Sequence, residues 1–277
     1  MPVLSPTDVR ALLTEHGIRP SRALGQNFLT DPNTANRIAR LAEVGPGDRV
    51  LEIGPGLGSL TLALAGAGAS VLAVELDRHV LPALESVVAG VGDVTVEQGD
   101  ALELDFGARL GDDGPWACVS NLPYNVAVPV VMRLLDEVTQ ITRFLVMVQR
   151  EVGERLAAAP GSRACGAVSV RVDYLAEARI VGAVPPTVFV PRPKVESVLV
   201  RLDRRPAPPV AVSSPELMFD LVRAGFAQRR KMLRRSLRPL LGDRADATLV
   251  AAGIDSRARA EELDLTHWAA LAQEADS

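Results

Sequence analysis

The sequence predicts an α/β fold with a parallel sheet, followed by a small all-helical domain. Between residues 49 and 148, short runs rich in β-branched residues alternate with helical stretches, which is the rhythm of βαβ units. A stiff, proline-rich break then occurs at residues 205–209. Beyond the break, several short helical patterns follow with no strand pattern. We therefore predict one domain over residues 1–205 and a second over 206–277.

The first elements are two helices that precede the sheet. Ser5 is expected to cap the first helix, with Pro6 at its first position and an end near Gly17, and the second helix is expected from Pro32 to about Val44. Residues 167–175 and 197–202 are predicted as an antiparallel edge of the sheet. The parallel strands are predicted at residues 50–53, 70–74, 94–97, 117–120 and 143–148, with helices at 57–65, 78–88 and 128–138.

Composition excludes several functional classes. The chain has 277 residues, 48% of them hydrophobic and 23% charged, as expected of a folded protein with a full core. No apolar run approaches the roughly 18 residues needed to cross a bilayer. Two cysteines and three histidines cannot form a recognisable zinc cluster or disulfide framework. We expect a cytoplasmic protein without a metal.

Charge is distributed unevenly along the chain. The net charge is −4, yet twelve basic residues and only four acidic ones lie between Phe189 and Arg238. Such asymmetry is typical of a basic docking face on an otherwise acidic protein. Charge alone leaves two interpretations open, a nucleic-acid surface and a solvated helix face.

A glycine-rich turn follows the first predicted strand. Residues 50–58 read VLEIGPGLG, and a glycine such as Gly54 or Gly56 is needed where a ligand lies against the backbone. The next strand ends at Glu75, which can accept ribose hydroxyls, and the third ends near Asp100, which can accept an adenine amine. A packing turn or a nicotinamide site remains possible, but the G-x-G-x-G spacing is not the dinucleotide fingerprint.

The fourth predicted strand ends in Asn121-Leu122-Pro123-Tyr124. Two acceptors, the Asn121 side-chain carbonyl and the Leu122 backbone carbonyl, can polarise a poorly nucleophilic adenine amine and stabilise its developing charge. Pro123 forces Leu122 into an extended conformation and removes a competing donor. Tyr124 can stack on a flipped base. A plain turn is the alternative, but the position at the end of a strand favours the catalytic interpretation.

These motifs carry a family resemblance. The chain resembles the bacterial small-subunit (16S) rRNA adenine dimethyltransferases. The matching segments occur in the same order as in that family and cover nearly the whole chain. The segments are 24–29 (LGQNFL), the glycine turn, Glu75, Asp100, the NLPY tetrapeptide with Asn125, 148–151 (VQRE), 189–197 (FVPRPKVES) and 226–231 (FAQRRK).

The resemblance implies a Rossmann-like class I methyltransferase that uses S-adenosylmethionine. Asn27 and Leu29 would line the cofactor site, together with the glycine turn, the two strand-end carboxylates and Asn121. Phe189 would contact the target base opposite Tyr124, although a buried core phenylalanine is the alternative. The basic stretch would contact rRNA phosphates through Arg229, Arg230, Lys231, Arg234 and Arg235.

The implied substrate is a pair of adjacent adenosines in a hairpin loop near the 3′ end of 16S rRNA, in an immature small subunit. Each adenosine would be dimethylated at N6, and the enzyme, expected as a monomer, would serve ribosome biogenesis. Two rivals remain open. One is a 23S rRNA adenine methyltransferase that confers antibiotic resistance, and the other is a non-catalytic RNA-binding assembly factor. A nicotinamide oxidoreductase is the weakest option, because it leaves the NLPY segment unexplained.

Overall fold

The computed structural model describes residues 3–112 and 114–276, which pack as two units. The first unit contains the chain up to Gly153 together with Arg179–Arg204. The second contains Glu154–Ala178 together with the chain from Arg205 onward. The unit division at Arg205 coincides with the proline-rich break. Residues 154–178, which the sequence assigned to the first domain, pack with the C-terminal helices instead.

A seven-stranded sheet forms the centre of the first unit. The strands are β1 Phe28–Leu29, β2 Arg49–Ile53, β3 Ser70–Glu75, β4 Val94–Gln98, β5 Trp116–Asn121, β6 Ile141–Gln149, β7 Ala176–Val184, β8 Phe189–Val190 and β9 Ser197–Arg204. The order in the sheet is β4-β3-β2-β5-β6-β9-β7, with parallel pairing from β4 through β6 and an antiparallel β9 against β6. The two short strands β1 and β8 pair separately as an antiparallel ribbon.

The five parallel strands confirm the sequence prediction to within two residues at each end. The chain runs outward from β2 to β3 and β4, then returns to place β5 on the other side of β2. Such a reversal opens a crevice at the carboxyl ends of the central strands, where ligands bind in open α/β sheets. The loops that follow β2 and β5 border this crevice.

Helices cover the sheet of the first unit. The first begins as predicted, since Ser5 Oγ accepts from Asp8 N at 3.3 Å while the Asp8 carboxylate accepts from Ser5 N at 2.8 Å. The second and third bury apolar side chains against one face of the sheet, where Ile38 and Leu64 are fully enclosed. The helices are α1 Pro6–Glu15, α2 Pro32–Ala42, α3 Ser59–Gly66, α4 Leu81–Val88, α5 Phe106–Leu110, α6 Ala127–Glu137 and α7 Arg150–Leu156.

The prediction of a strand at residues 167–175 is wrong, because this segment is the helix α8, Ala167–Leu175. Its valines alternate as in a strand, but Val170 and Tyr174 are four residues apart and share one helical face in the core of the second unit. Packing of that face overrides the β preference of the valines. The strand β7 follows directly and occupies the edge of the sheet beside β9.

The second unit consists of short helices around Trp268, whose side chain is fully buried. A Cβ on Gly225 would lie 2.8 Å from the Trp268 ring, so glycine is required where the helix that contains Gly225 packs against this ring. Among the described residues, no helix is long and apolar enough to cross a membrane. The remaining helices are α9 Pro215–Ala227, α10 Leu233–Ser236, α11 Arg238–Leu241, α12 Ala245–Ala251 and α13 Leu265–Asp276.

Candidate active site

The loop between β2 and α3 depends on glycine at two positions. Gly54 and Gly56 have φ values of +68° and +58°, a region that L side chains rarely adopt. A Cβ on Gly56 would also lie 2.9 Å from the Phe28 ring, and one on Gly54 would lie 3.3 Å from the Pro123 ring. The glycine turn, Phe28 of the N-terminal loop and Pro123 of the NLPY segment thus approach one another closely, and all of them border one cavity.

Glu75 ends β3 beside the glycine turn and is only 7% exposed. Its Oε2 accepts from Gly56 N at 3.0 Å, and its Oε1 accepts from Asp77 N at 2.9 Å. Burial raises the pKa of the Glu75 carboxyl, although the two backbone N–H groups oppose this shift. Each oxygen keeps a lone pair for one further donor, so the carboxylate can bind two ligand hydroxyls.

Asp100 follows β4 and also borders the cavity. Its Oδ1 accepts from Leu102 N at 2.8 Å, which fixes the orientation of the carboxylate. Leu76 lies on the cavity wall and is 49% exposed. Leu102 lines the wall as well. This part of the cavity offers apolar surface and an acceptor, which suits a purine ring with an exocyclic amine.

The Asn121 side chain is held in one orientation. Its Nδ2 donates to the backbone carbonyl of Asn27 at 3.2 Å, and the Asn27 side chain in turn donates to Gly25 O at 3.1 Å. The Asn121 Oδ1 accepts no hydrogen bond from the described residues, and Asn121 is one of the residues that line the cavity. Leu122 N donates to Met147 O at 3.2 Å, and the Leu122 side chain is buried. The side-chain carbonyl of Asn121 is therefore an acceptor with a fixed orientation, next to the buried Leu122.

Tyr124 lies one turn before α6 and is half-buried. Its hydroxyl lies 2.7 Å from Ser197 Oγ, at the first residue of β9. Burial raises the pKa of the Tyr124 phenol, with the Ser197 hydrogen bond acting in the opposite direction. The phenol is thus neutral at physiological pH.

The glycine turn, Glu75, Asp100 and the NLPY segment all border one cavity. The predicted residues that line it are Asn27, Leu29, Gly54, Gly56, Glu75, Asp100, Asn121, Leu122, Pro123 and Tyr124.

Phe189 lies elsewhere. It pairs with Leu29 in the β1–β8 ribbon, is 3% exposed and belongs to the hydrophobic core of the first unit. It is not among the residues that border the cavity. This placement favours the core alternative that the sequence left open, with Phe189 supporting the strand that carries Leu29.

Sequence reasoning missed a buried carboxyl, Glu52, among the residues that line the cavity. Glu52 is enclosed in β2, and the Thr61 hydroxyl donates to its Oε2 at 2.7 Å. Burial raises the pKa of Glu52 to about 8, against the Thr61 hydrogen bond and with a smaller contribution from the charge of Glu75. Leu76 was missed too, although an apolar residue directly after a strand-end carboxylate is a usable sequence signal.

The basic stretch of the second unit divides into two kinds of side chain. Arg229 is held within the unit, since its Nε donates to Glu261 Oε2 at 2.6 Å and its Nη2 donates to the Arg163 carbonyl. Arg230, Lys231 and Arg235 are exposed, and Arg234 is half-buried.

The two cysteines, Cys118 and Cys165, are free and buried. Within residues 3–112 and 114–276, no group of three or more His, Cys, Asp or Glu side chains could hold a metal ion.

The fold and this cavity define a Rossmann-like methyltransferase. The family model described as "Ribosomal RNA adenine dimethylase" matches residues 18–277, and the chain belongs to that family. Proteins named "Ribosomal RNA small subunit methyltransferase A" are similar over nearly their whole length. The one from Thermobifida fusca is 48% identical, with 98% of this chain and 96% of the relative covered. The one from Nocardia farcinica is 46% identical, with 99% and 96% covered.

Solved structures agree on the fold. The 23S rRNA methyltransferase ErmE is 28% identical, with a TM-score of 0.69 over 91% of this chain and 100% of that chain. A dimethyladenosine transferase from Plasmodium falciparum superposes with a TM-score of 0.72 over 88% and 95% of the two chains, at 22% identity.

Proposed function

We propose that this protein transfers methyl groups from S-adenosylmethionine to N6 of two adjacent adenosines in a hairpin loop near the 3′ end of 16S rRNA. The substrate is the immature small ribosomal subunit, and the reaction serves small-subunit biogenesis. The observation that carries the proposal is the Asn121 amide, which a hydrogen bond to Asn27 holds in one orientation in the lining of the cavity that Glu75 and Asp100 also border. Family membership and the near full-length similarity to small-subunit enzymes support the choice of substrate.

The cavity fits the proposed cofactor. Gly54 and Gly56 line the cavity without a side chain of their own, and Glu75 has lone pairs for two ribose hydroxyls. Leu76 and Leu102 would enclose the adenine ring, and Asp100 would accept from its amine. When bound, S-adenosylmethionine supplies an electrophilic methyl group on a sulfonium. Asn27 and Leu29 would complete the wall on the side of the N-terminal loop.

The NLPY segment would activate the target amine. An adenine amine has its lone pair delocalised into the ring, and two acceptors at its N–H groups return electron density to nitrogen. Asn121 Oδ1 and the Leu122 carbonyl would be these acceptors, with Pro123 holding the backbone extended. As the amine nitrogen bonds to the methyl carbon, the carbon–sulfur bond would break with its electron pair staying on sulfur as a neutral thioether, and the positive charge would pass to the nitrogen. It then loses a proton to water, so no strong general base is needed.

Tyr124 would stack on the flipped adenine and hold its amine in line with the methyl group. A second transfer to the same nitrogen makes a further demand. After the first methylation only one N–H remains for two acceptors, so the monomethyl amine must reorient within the site. The neutral phenol of Tyr124 suits stacking, because no charge is buried against the base.

The second unit would bind rRNA through its exposed basic side chains. Arg230, Lys231 and Arg235 are available for phosphates, with Arg234 partly so. Arg229 would act mainly by holding this stretch in place through Glu261. Phosphate contacts release counterions, so binding would weaken as salt rises. We place the protein in the cytoplasm, as a monomer on its ribosomal substrate.

The main rival is methylation of 23S rRNA, as the name of the similar structure ErmE states for that protein. The small-subunit relatives are more similar, at 42–48% identity against 28%. The second rival, a non-catalytic assembly factor, leaves the oriented Asn121 amide and the buried Glu75 carboxylate without a purpose.

Mass spectrometry of 16S and 23S rRNA from cells that lack this protein tests the proposal. We expect two adjacent adenosines near the 3′ end of 16S rRNA to lose all four methyl groups, with 23S rRNA unchanged. Loss of methylation only in 23S rRNA would support the rival enzyme. Unchanged methylation in both would support the assembly factor.

A further inference from the structure

Tyr124 must hold its ring in a fixed plane if it is to stack on a base, yet it lies outside regular structure. Residues 122–126 form the turn between β5 and α6. A tyrosine on a turn has two side-chain torsions to fix, and freedom in either would spread the ring over many orientations. Something beyond the tetrapeptide has to orient it.

The backbone of this turn is anchored on one side. Asn125 Nδ2 donates to Ala23 O at 3.0 Å, which ties the turn to the N-terminal loop. Gly25 approaches closely as well, since a Cβ there would lie 3.2 Å from Tyr124 N. These contacts fix where the Tyr124 side chain begins, but they leave the far end of its ring free.

The far end is fixed by Ser197. This serine is fully buried, and its Oγ lies 2.7 Å from the Tyr124 hydroxyl. Ser197 begins β9 and pairs with Gln149 of β6, so its position is set by the sheet. The preceding residue is tied to the end of β6 as well, because Arg150 N donates to Glu196 O at 3.0 Å and Arg150 Nη2 lies 2.9 Å from Glu196 Oε2.

From this geometry we infer that Ser197 is a positioning residue for methyl transfer, which holds the Tyr124 ring in its stacking plane through one buried hydrogen bond. The inference rests on the proposed function. The Tyr124 hydroxyl has no other hydrogen-bond partner in the described part of the chain, and neither has Ser197 Oγ. The phenol oxygen therefore serves orientation, and the face of the ring serves the substrate.

A double-mutant cycle on purified protein tests this role, with small ribosomal subunits and labelled cofactor. Ser197→Ala and Tyr124→Phe each remove the same hydrogen bond, so each should lower kcat by about three- to tenfold with little change in KM for the subunit. The double variant should be no slower than either single variant, because the bond can be lost only once. Thr248→Val, which removes a buried hydroxyl that donates to Arg244 O in the second unit, is the matched control and should retain wild-type kcat.

Wild-type kcat in Ser197→Ala, or losses that multiply in the double variant, would overturn the inference. An equal loss in Thr248→Val would mean that general destabilisation explains the effect. If the wild-type protein methylates no small-subunit rRNA, the proposed function itself fails, and the stacking role fails with it.

A second measurement examines the hydrogen bond without a substrate. The chain has two tyrosines, so Tyr174→Phe leaves Tyr124 as the only phenol. The Ser197 hydrogen bond lowers the pKa of the Tyr124 phenol. In this background Ser197→Ala should therefore raise that pKa, measured from phenolate absorbance. An unchanged pKa would show that the bond does not form in solution.

Discussion

Asn121→Ala removes one of the two acceptors proposed for the target amine. The loss of one preorganised hydrogen-bonding group at a reaction centre lowers kcat by about 10²–10³. Its structural cost should be small, because the Asn121 side chain makes one hydrogen bond, of 3.2 Å, to the Asn27 carbonyl. Such a bond contributes about 1 kcal/mol, which in a chain of this size corresponds to a melting temperature lower by roughly 2–4 °C.

The assay compares single-turnover methylation of small subunits with thermal unfolding of the same preparations. Asn125→Ala is the matched control, since its amide also donates to the N-terminal loop, at Ala23 O, but it has no proposed role as an acceptor. We expect Asn125→Ala to slow transfer by about tenfold at most. Cofactor affinity is measured by calorimetry for each variant, so that the transfer rates are compared at saturating cofactor. A rate for Asn121→Ala within tenfold of wild type, or equal to that of Asn125→Ala, would refute the acceptor role.

Three further predictions follow from the site and the basic stretch. Glu75→Ala should weaken cofactor binding by about tenfold or more, measured by calorimetry, because it removes contacts to the ribose hydroxyls. It should change kcat at saturating cofactor far less, because Glu75 has no contact with the reacting atoms. An unchanged Kd for the cofactor would contradict this prediction. The pKa of Glu52 is raised to about 8, so its protonated form stabilises the fold fully below the unfolded value near 4.5, and this stability is lost as pH rises through 8. Glu52→Gln should therefore flatten the melting temperature between pH 5 and 9 in the absence of cofactor, with a gain at the alkaline end; parallel wild-type and variant curves would show that Glu52 is ionised throughout. The double variant Arg230→Ala, Lys231→Ala should reduce the slope of log affinity for rRNA against log salt concentration by about 1.4–1.8. Arg229→Ala should instead chiefly lower the melting temperature of the second unit, because Arg229 is paired with Glu261. Equal slopes in the wild type and all variants would place the RNA contacts elsewhere.

The elements that the sequence predicted best are those with a strong local pattern. The parallel strands are short, buried and β-branched, and the cap at Ser5 is formed by residues three positions apart. The strand predicted at residues 167–175 fails for a non-local reason. Its valines satisfy both the strand and the helix period, and the deciding contacts come from helices that are distant in sequence.

The candidate site was predictable wherever a residue lies at the end of a strand. Glu75, Asp100 and Asn121 meet because parallel strands place their carboxyl ends at one edge of the sheet. The position of Phe189 depends instead on the pairing of β1 with β8, across about 160 residues of chain, for which the sequence has no local signal. The Tyr124–Ser197 hydrogen bond and the Arg229–Glu261 ion pair also join residues that are distant in sequence, 73 and 32 positions apart.

The central claim is that the protein dimethylates two adjacent adenosines of small-subunit rRNA in this cavity. The most direct measurement incubates the purified protein with methyl-labelled cofactor and either small or large ribosomal subunits that lack the modification, then maps the label by mass spectrometry. We predict four methyl groups on two adjacent adenosines near the 3′ end of 16S rRNA, and none when Asn121→Ala replaces the wild type within the same reaction time. Label confined to 23S rRNA, or no label in either subunit, would contradict the account.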